Sequence, residues 1–283
     1  MQIARAVQPR TTTDHSPARV WGTPRAAMRA RASGAGPRQP AAASVLALPL
    51  LTGPSCASIV VAATGHGAYL LLESANSVLP ILFPHSIALP TAVRLADRQA
   101  RLDVEIGDVV EVGGGRLRTR PEGCAGGGID VQVVRAYRPA RVRVDPAAAA
   151  VPGHPVPPEL LARIGQGRGL TPECDDEIGG HLLVSVALGR PIPDIEPALH
   201  RTTALSASLL RAAALGYAVP AVVDYIDAVI AGHRPAAARL RSQVAAIGQS
   251  SGRALLRGVD DAVAVITTSA SHGSPSTLRR IVA

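Results

Sequence analysis

Between Asp145 and Pro158 the chain reads DPAAAAVPGHPVPP, and the hydrophobic period changes across it. A stretch this rich in proline can neither continue a helix nor sit inside a sheet, so it divides the chain into two regions of different texture. Before it, short Val- and Ile-rich runs alternate with Gly, Pro and Asp at intervals of roughly ten residues, the texture of a strand-and-turn fold. Ser58–Ala63 and Ala68–Glu73 flank Thr64-Gly65-His66-Gly67 as a hairpin would. Leu102–Ile106, Asp108–Val112, Arg116–Arg120, Ile129–Val134 and Arg141–Val144 complete the strand candidates.

After the proline-rich stretch the period is helical. Pro158–Ile164 predicts a short helix, and Thr171–Leu188 a longer one with Thr171 as N-cap and Pro172 in the first helical position. Asp194–Leu215 fits one helix or two, stopped by Gly216. Pro220–Ala231, Pro235–Ile247 and Ser251–Ile266 come next. Aromatic residues make up 2% of the chain, and alanine-rich helices that approach closely explain how a core forms without them. The expected fold class is therefore α+β. Its parts are a small β barrel or sandwich over residues 44–146, a linker over 147–157, an Ala/Leu-rich helical domain over 158–268 and a polar tail over 269–283.

The net charge of +8 suggests a polyanion partner until it is divided along the chain. Residues 1–40 carry seven Arg against one acid, 41–156 ten against nine, and 157–283 twelve against eleven. The body is near neutral and poor in aromatics, which argues against a nucleic-acid surface. Residues 1–43 read as a disordered Arg/Ala/Pro-rich extension, with a polyanion-binding arm or a targeting segment as the alternatives. No run reaches the ~18 apolar residues of a membrane helix. Cys56, Cys124 and Cys174 are odd in number and far apart, which fits a reducing cytoplasm.

Chemistry concentrates in GQGRGLTPECDD, residues 165–176. Gly165, Gly167 and Gly169 let the backbone approach a ligand and bare its amides, and the helix start just after them is a seat for phosphate or carboxylate. Glu173, Asp175, Asp176 and Glu177 would repel such an anion unless a metal intervened, and Mg²⁺ held by Asp175 and Asp176 is the sensible case. A glycine C-cap followed by an acid-rich helix start accounts for the same residues without a ligand. A second Gly/Ser loop, Gly248–Gly252, opens the last helix and offers Ser250, Ser251 and Gly252 to an anion. Arg201-Thr202-Thr203 is a third polar cluster, either a helix junction or a ligand-facing turn.

In order and spacing, GQGRGLTPECDD, RTTALSASLLRAAALG and IGQSSGRALLRG resemble the oxamate carbamoyltransferase subunit family called AllH, long known only as a domain of unknown function. The likeness spans about Ser44–Ile266 and its motifs lie in the helical half. The family's signatures run close to GxGxGLTPSGDD, TTxxSAxxL and GHTSGxDxL. Resemblance implies a bacterial subunit in purine and allantoin nitrogen catabolism. With companion subunits it would interconvert oxalurate and phosphate with oxamate and carbamoyl phosphate, so its ligand would be a small anionic metabolite. By position it carries over Gly165, Gly167, Gly169, Thr171, Asp175, Asp176, Thr202, Thr203, Ser206, Ser251 and Gly252. Asp175, Asp176 and Thr171 would be catalytic and the others would bind the anion. The departures are Glu173-Cys174 for Ser-Gly, Gln249-Ser250 for His-Thr, and Ala254 for Asp. Gln249 cannot titrate near neutral pH, so these departures also admit a non-catalytic subunit that acts in assembly with a catalytic partner.

Overall fold

The computed structural model describes residues 38–119, 128–145 and 156–270. The extension up to residue 37, most of the linker and the end of the tail lie outside the described residues, as does Cys124. Eight strands form one closed barrel: β1 (Gln39–Ser44), β2 (Cys56–Thr64), β3 (Gly67–Leu72), β4 (Ser77–Leu82), β5 (Val93–Leu95), β6 (Val109–Gly113), β7 (Arg116–Thr119) and β8 (Asp130–Tyr137). Their order around the barrel is β1-β5-β4-β3-β2-β6-β7-β8. Ala41, Val60, Leu70, Ile81, Val110 and Leu117 fill its core, each almost wholly buried. Helix α1 (Leu48–Thr52) adds Leu51 to that core, and its carbonyl accepts the Gly115 N–H at 2.9 Å.

This corrects the expectation of a small barrel or sandwich. The sheet is a single closed surface of mixed direction, with β4–β5 and β1–β8 parallel and the remaining pairs antiparallel. Local turn signals find hairpins, and they did find β2–β3; parallel pairs join segments that no turn connects. β1 is the extreme case. Its QPAAAS sequence has low strand propensity, and pairing with β5 and β8 makes it a strand nonetheless. It takes residues 39–43 out of the expected extension. Leu102–Ile106, expected as a strand, has only an isolated bridge from Asp103 to Gly128, and Ile106 is 71% exposed. Residues 140–144 also leave the barrel. The Val142 N–H donates to the Gly216 carbonyl at 2.9 Å, and the Val142 side chain belongs to the helical core.

The helical part comprises α2 (Pro158–Leu161), α3 (Glu173–Ala187), α4 (Ala204–Ala214), α5 (Pro220–Ile230), α6 (Arg234–Ala245) and α7 (Ser251–Ala270). A 3-10 turn at Glu196–Arg201 precedes α4 and divides the Asp194–Leu215 stretch in two. α3 runs through the middle and is buried on nearly every side from Ile178 to Ala187. It meets α7 at backbone contact: a Cβ on Gly180 would lie 2.5 Å from the Leu255 carbonyl oxygen, and one on Gly258 1.9 Å from that of Glu177. The barrel docks on α4 through β4. The buried Val78 N–H donates to Ser208 Oγ at 3.1 Å, and Arg211 joins Glu196 at 2.8 Å to the Asn76 carbonyl at 3.1 Å.

Candidate functional site

The four acids at the start of α3 separate into different tasks. Glu173 and Glu177 turn outward to arginine: Arg257 bridges both, at 3.6 and 2.8 Å, and Arg163 reaches Glu177 at 3.2 Å. The Arg257 pairs clamp the start of α3 to α7. Asp175 turns inward and is 2% exposed. Its Oδ1 accepts the Gly165 N–H at 2.7 Å, and its Oδ2 accepts the hydroxyls of Ser206, at 2.6 Å, and Thr202. One carboxylate thus ties the glycine loop, the Thr202 turn and α4 to α3, a fully satisfied buried network. Thr203 caps α4 by accepting the Ser206 N–H at 3.1 Å and donates its own hydroxyl to the Leu170 carbonyl at 2.6 Å.

The glycine loop is built for packing. Gly165 has φ +85°, and a Cβ there would fall 2.1 Å from the Arg201 carbonyl oxygen. Gly167, at φ +124°, would bring one within 2.6 Å of the Glu173 nitrogen. Several of the amides near the helix start are used inside the protein. Cys174 N–H donates to the Gln166 carbonyl at 3.2 Å, and those of Asp175 and Asp176 to the Pro172 carbonyl at 2.9 and 3.3 Å. Pro172, not Thr171, is the residue before the helix, and no side chain caps α3. At the other loop, Gly252 N–H donates to the Ile247 carbonyl at 3.0 Å and Ala254 N–H to that of Ser250 at 3.0 Å.

Freed from capping, Thr171 meets Ser251 across the two loops, with their hydroxyl oxygens 2.9 Å apart. Asp176 sits beside them. Burial pushes its carboxyl up to about 7, the hydroxyls of Ser251 and Thr171 hold that rise back, and the charges of Asp175 and Glu173 add to it. Its Oδ2 is buried and has no hydrogen-bond partner among the described residues. These groups form the polar end of a cavity of about 400 Å³ between barrel and helices. Thr171, Asp175, Asp176, Ser206, Ser251 and Gly252 all line it. Gly165, Gly167, Gly169, Thr202, Thr203 and Ser250 are not among the lining residues.

Several lining residues escaped the sequence reading: Tyr69, Ile87, Leu89 and Pro90 from the barrel side, Leu183 from α3, and Tyr217 after α4. Among the described residues that line the cavity there is no arginine or histidine. Nor do the residues fit a magnesium ion shared by Asp175 and Asp176, because Asp175 already accepts three protein donors. No group of three or more His, Cys, Asp or Glu side chains among the described residues is arranged to hold a metal. His181 is buried in α3, where desolvation lowers its pKa, and does not line the cavity. Cys174 receives the Arg163 guanidinium on its sulfur at 3.0 Å.

Residues 163–263 match the family model of oxamate carbamoyltransferase subunit AllH. The matched segment runs from just before the glycine loop to well inside α7, so every helical residue of the polar end falls within it, and the barrel lies outside. No curated protein and no solved structure matches the chain. Among the described residues no helix is long and apolar enough to cross a membrane.

Proposed function

Taking residues 163–263 as an AllH segment, we infer that the chain serves as a subunit of a carbamoyl-transferring enzyme, alongside companion subunits. Within that assembly its cavity holds the carbamoyl-bearing ligand. The observation that carries this reading is Asp176, with one unpartnered buried oxygen beside the paired hydroxyls of Thr171 and Ser251. A carbamoyl group presents N–H donors on one side and a carbonyl acceptor on the other. The free Oδ2 suits the donors, and a rotated hydroxyl suits the acceptor. Recognition through the uncharged amide end also fits a polar end whose described residues include carboxyls and no cation.

Asp175 acts here as a positioning residue that fixes both the glycine loop and the Thr202 turn, and Asp176 is the group that touches the ligand. A carboxyl that titrates near pH 7 exchanges its proton readily, which a carbamoyl transfer needs when the departing or arriving nitrogen changes its proton count. Calorimetric titration of the full chain with oxamate, oxalurate and carbamoyl phosphate tests the reading. Saturable binding that weakens at least tenfold in Asp176→Leu is expected; failure of the wild type to bind any of the three would overturn it.

A non-catalytic role in assembly is favoured by two positions. Ala254, where the AllH signature carries Asp, is completely buried and apolar. Gln249, at the signature's histidine, is exposed and outside the cavity lining. Neither supplies a titratable group. Under this second reading the chain co-purifies with a catalytic partner, and the isolated chain neither binds the anion nor turns it over.

A further inference from the structure

We propose that the ligand of this cavity is amphipathic: a primary amide or urea head at Asp176 carrying an unbranched apolar tail that lies along α3. The inference rests on the assignment of Asp176 to a carbamoyl group and names the ligand class beyond it. Asp176, Gly179 and Leu183 succeed one another at helical spacing, and all three line the cavity. That face therefore runs from a polar end to an apolar end over roughly 10 Å. Gly179 keeps the passage open between them, since a Cβ built on it meets no atom within 4 Å. Neighbouring Gly180 and Gly258, by contrast, are glycines because backbone fills the space.

The lining beyond the polar residues is largely apolar and includes Leu183, Leu209, Val222, Leu255 and, from the barrel side, Leu89. A two-carbon amide leaves most of the 400 Å³ unfilled, and apolar walls of this kind gain by losing water to an apolar tail. A small anion such as oxamate is held there by its carbamoyl end alone and gains nothing from the apolar walls, with no cation among the described lining residues to favour its charged end.

Affinity for the full-length chain is measured by calorimetry at pH 6, where the Asp176 carboxyl is largely protonated, for acetamide, butyramide and hexanamide, and for hexanoate, hexylammonium and oxamate. Each added methylene is expected to tighten amide binding roughly fourfold, up to a tail of about seven carbons. Hexanamide is expected to bind more tightly than hexanoate, hexylammonium or oxamate. Gly179→Leu, which places a side chain in the open passage, is expected to erase the gain with chain length while the melting temperature stays at or above that of the wild type. Oxamate binding with no gain from a longer tail would overturn this inference and leave the carbamoyl assignment standing. Long amides that bind Asp176→Leu as well as the wild type would overturn the placement of the head. Tighter binding of hexanoate or hexylammonium would overturn its chemistry.

Discussion

Asp175 and Asp176 are neighbours in the chain with opposite surroundings. Both oxygens of Asp175 meet donors, so removing its carboxyl leaves the Gly165 N–H and two hydroxyls without their acceptor. Asp175→Ala is expected to lower unfolding stability by about 3 kcal/mol, measured by urea denaturation. Asp176 behaves in reverse. Its folded pKa near 7 lies above the unfolded value near ~4, so the folded state binds more protons between those limits and stability falls as pH rises through them. Asp176→Asn removes that slope. At pH 8 the variant should be more stable than the wild type by about 1–2 kcal/mol, an advantage that shrinks at pH 5. Urea midpoints at the two pH values check this. The sequence marked both aspartates and could not divide their labour, because the partners of Asp175 lie in three separate segments. Composition likewise left Gly165 and Gly167 open between a ligand and a ligand-free turn. The carbonyl of Arg201, thirty-six residues away from Gly165, is what excludes a side chain there.

At the scale of elements, the pairing of α3 with α7 turns on glycine. Gly179 and Gly180 are adjacent in one helix, yet one faces open space and the other faces the backbone of α7. Gly179→Ala should stabilise the protein by about 0.5–1 kcal/mol through helix propensity alone. Gly258→Ala, whose Cβ would meet the Glu177 carbonyl oxygen at 1.9 Å, should destabilise it by about 2 kcal/mol or more. Thermal unfolding of the two variants gives the opposite signs directly. The helices themselves were legible: the starts at Pro158, Pro220 and Ser251 coincide with those expected from proline and serine signals. The N-cap of α3 was not. Thr171 has the right side chain for a cap, and its hydroxyl is drawn instead to Ser251, eighty residues on.

For the whole molecule, the strand texture before residue 145 was legible and its closure was not. Hairpins announce themselves through turns; β1 carries no strand signal of its own and is defined by what flanks it. The cavity escaped for the same reason. Its barrel-side wall at Tyr69, Ile87, Leu89 and Pro90 belongs to the part of the chain that β4 docks on α4, a contact between residues 130 apart in sequence. The pairing of β1 with β8 joins Gln39 to Val131 and Ser44 to Tyr137. During synthesis the first strand of the barrel must therefore wait about fifty residues for β5 and about ninety for β8 to leave the ribosome. Closure of the ring is therefore expected to come late and slowly, since it must close a long loop. The alanine-rich makeup of β1, weak in self-association, suits a segment that spends that interval unpaired.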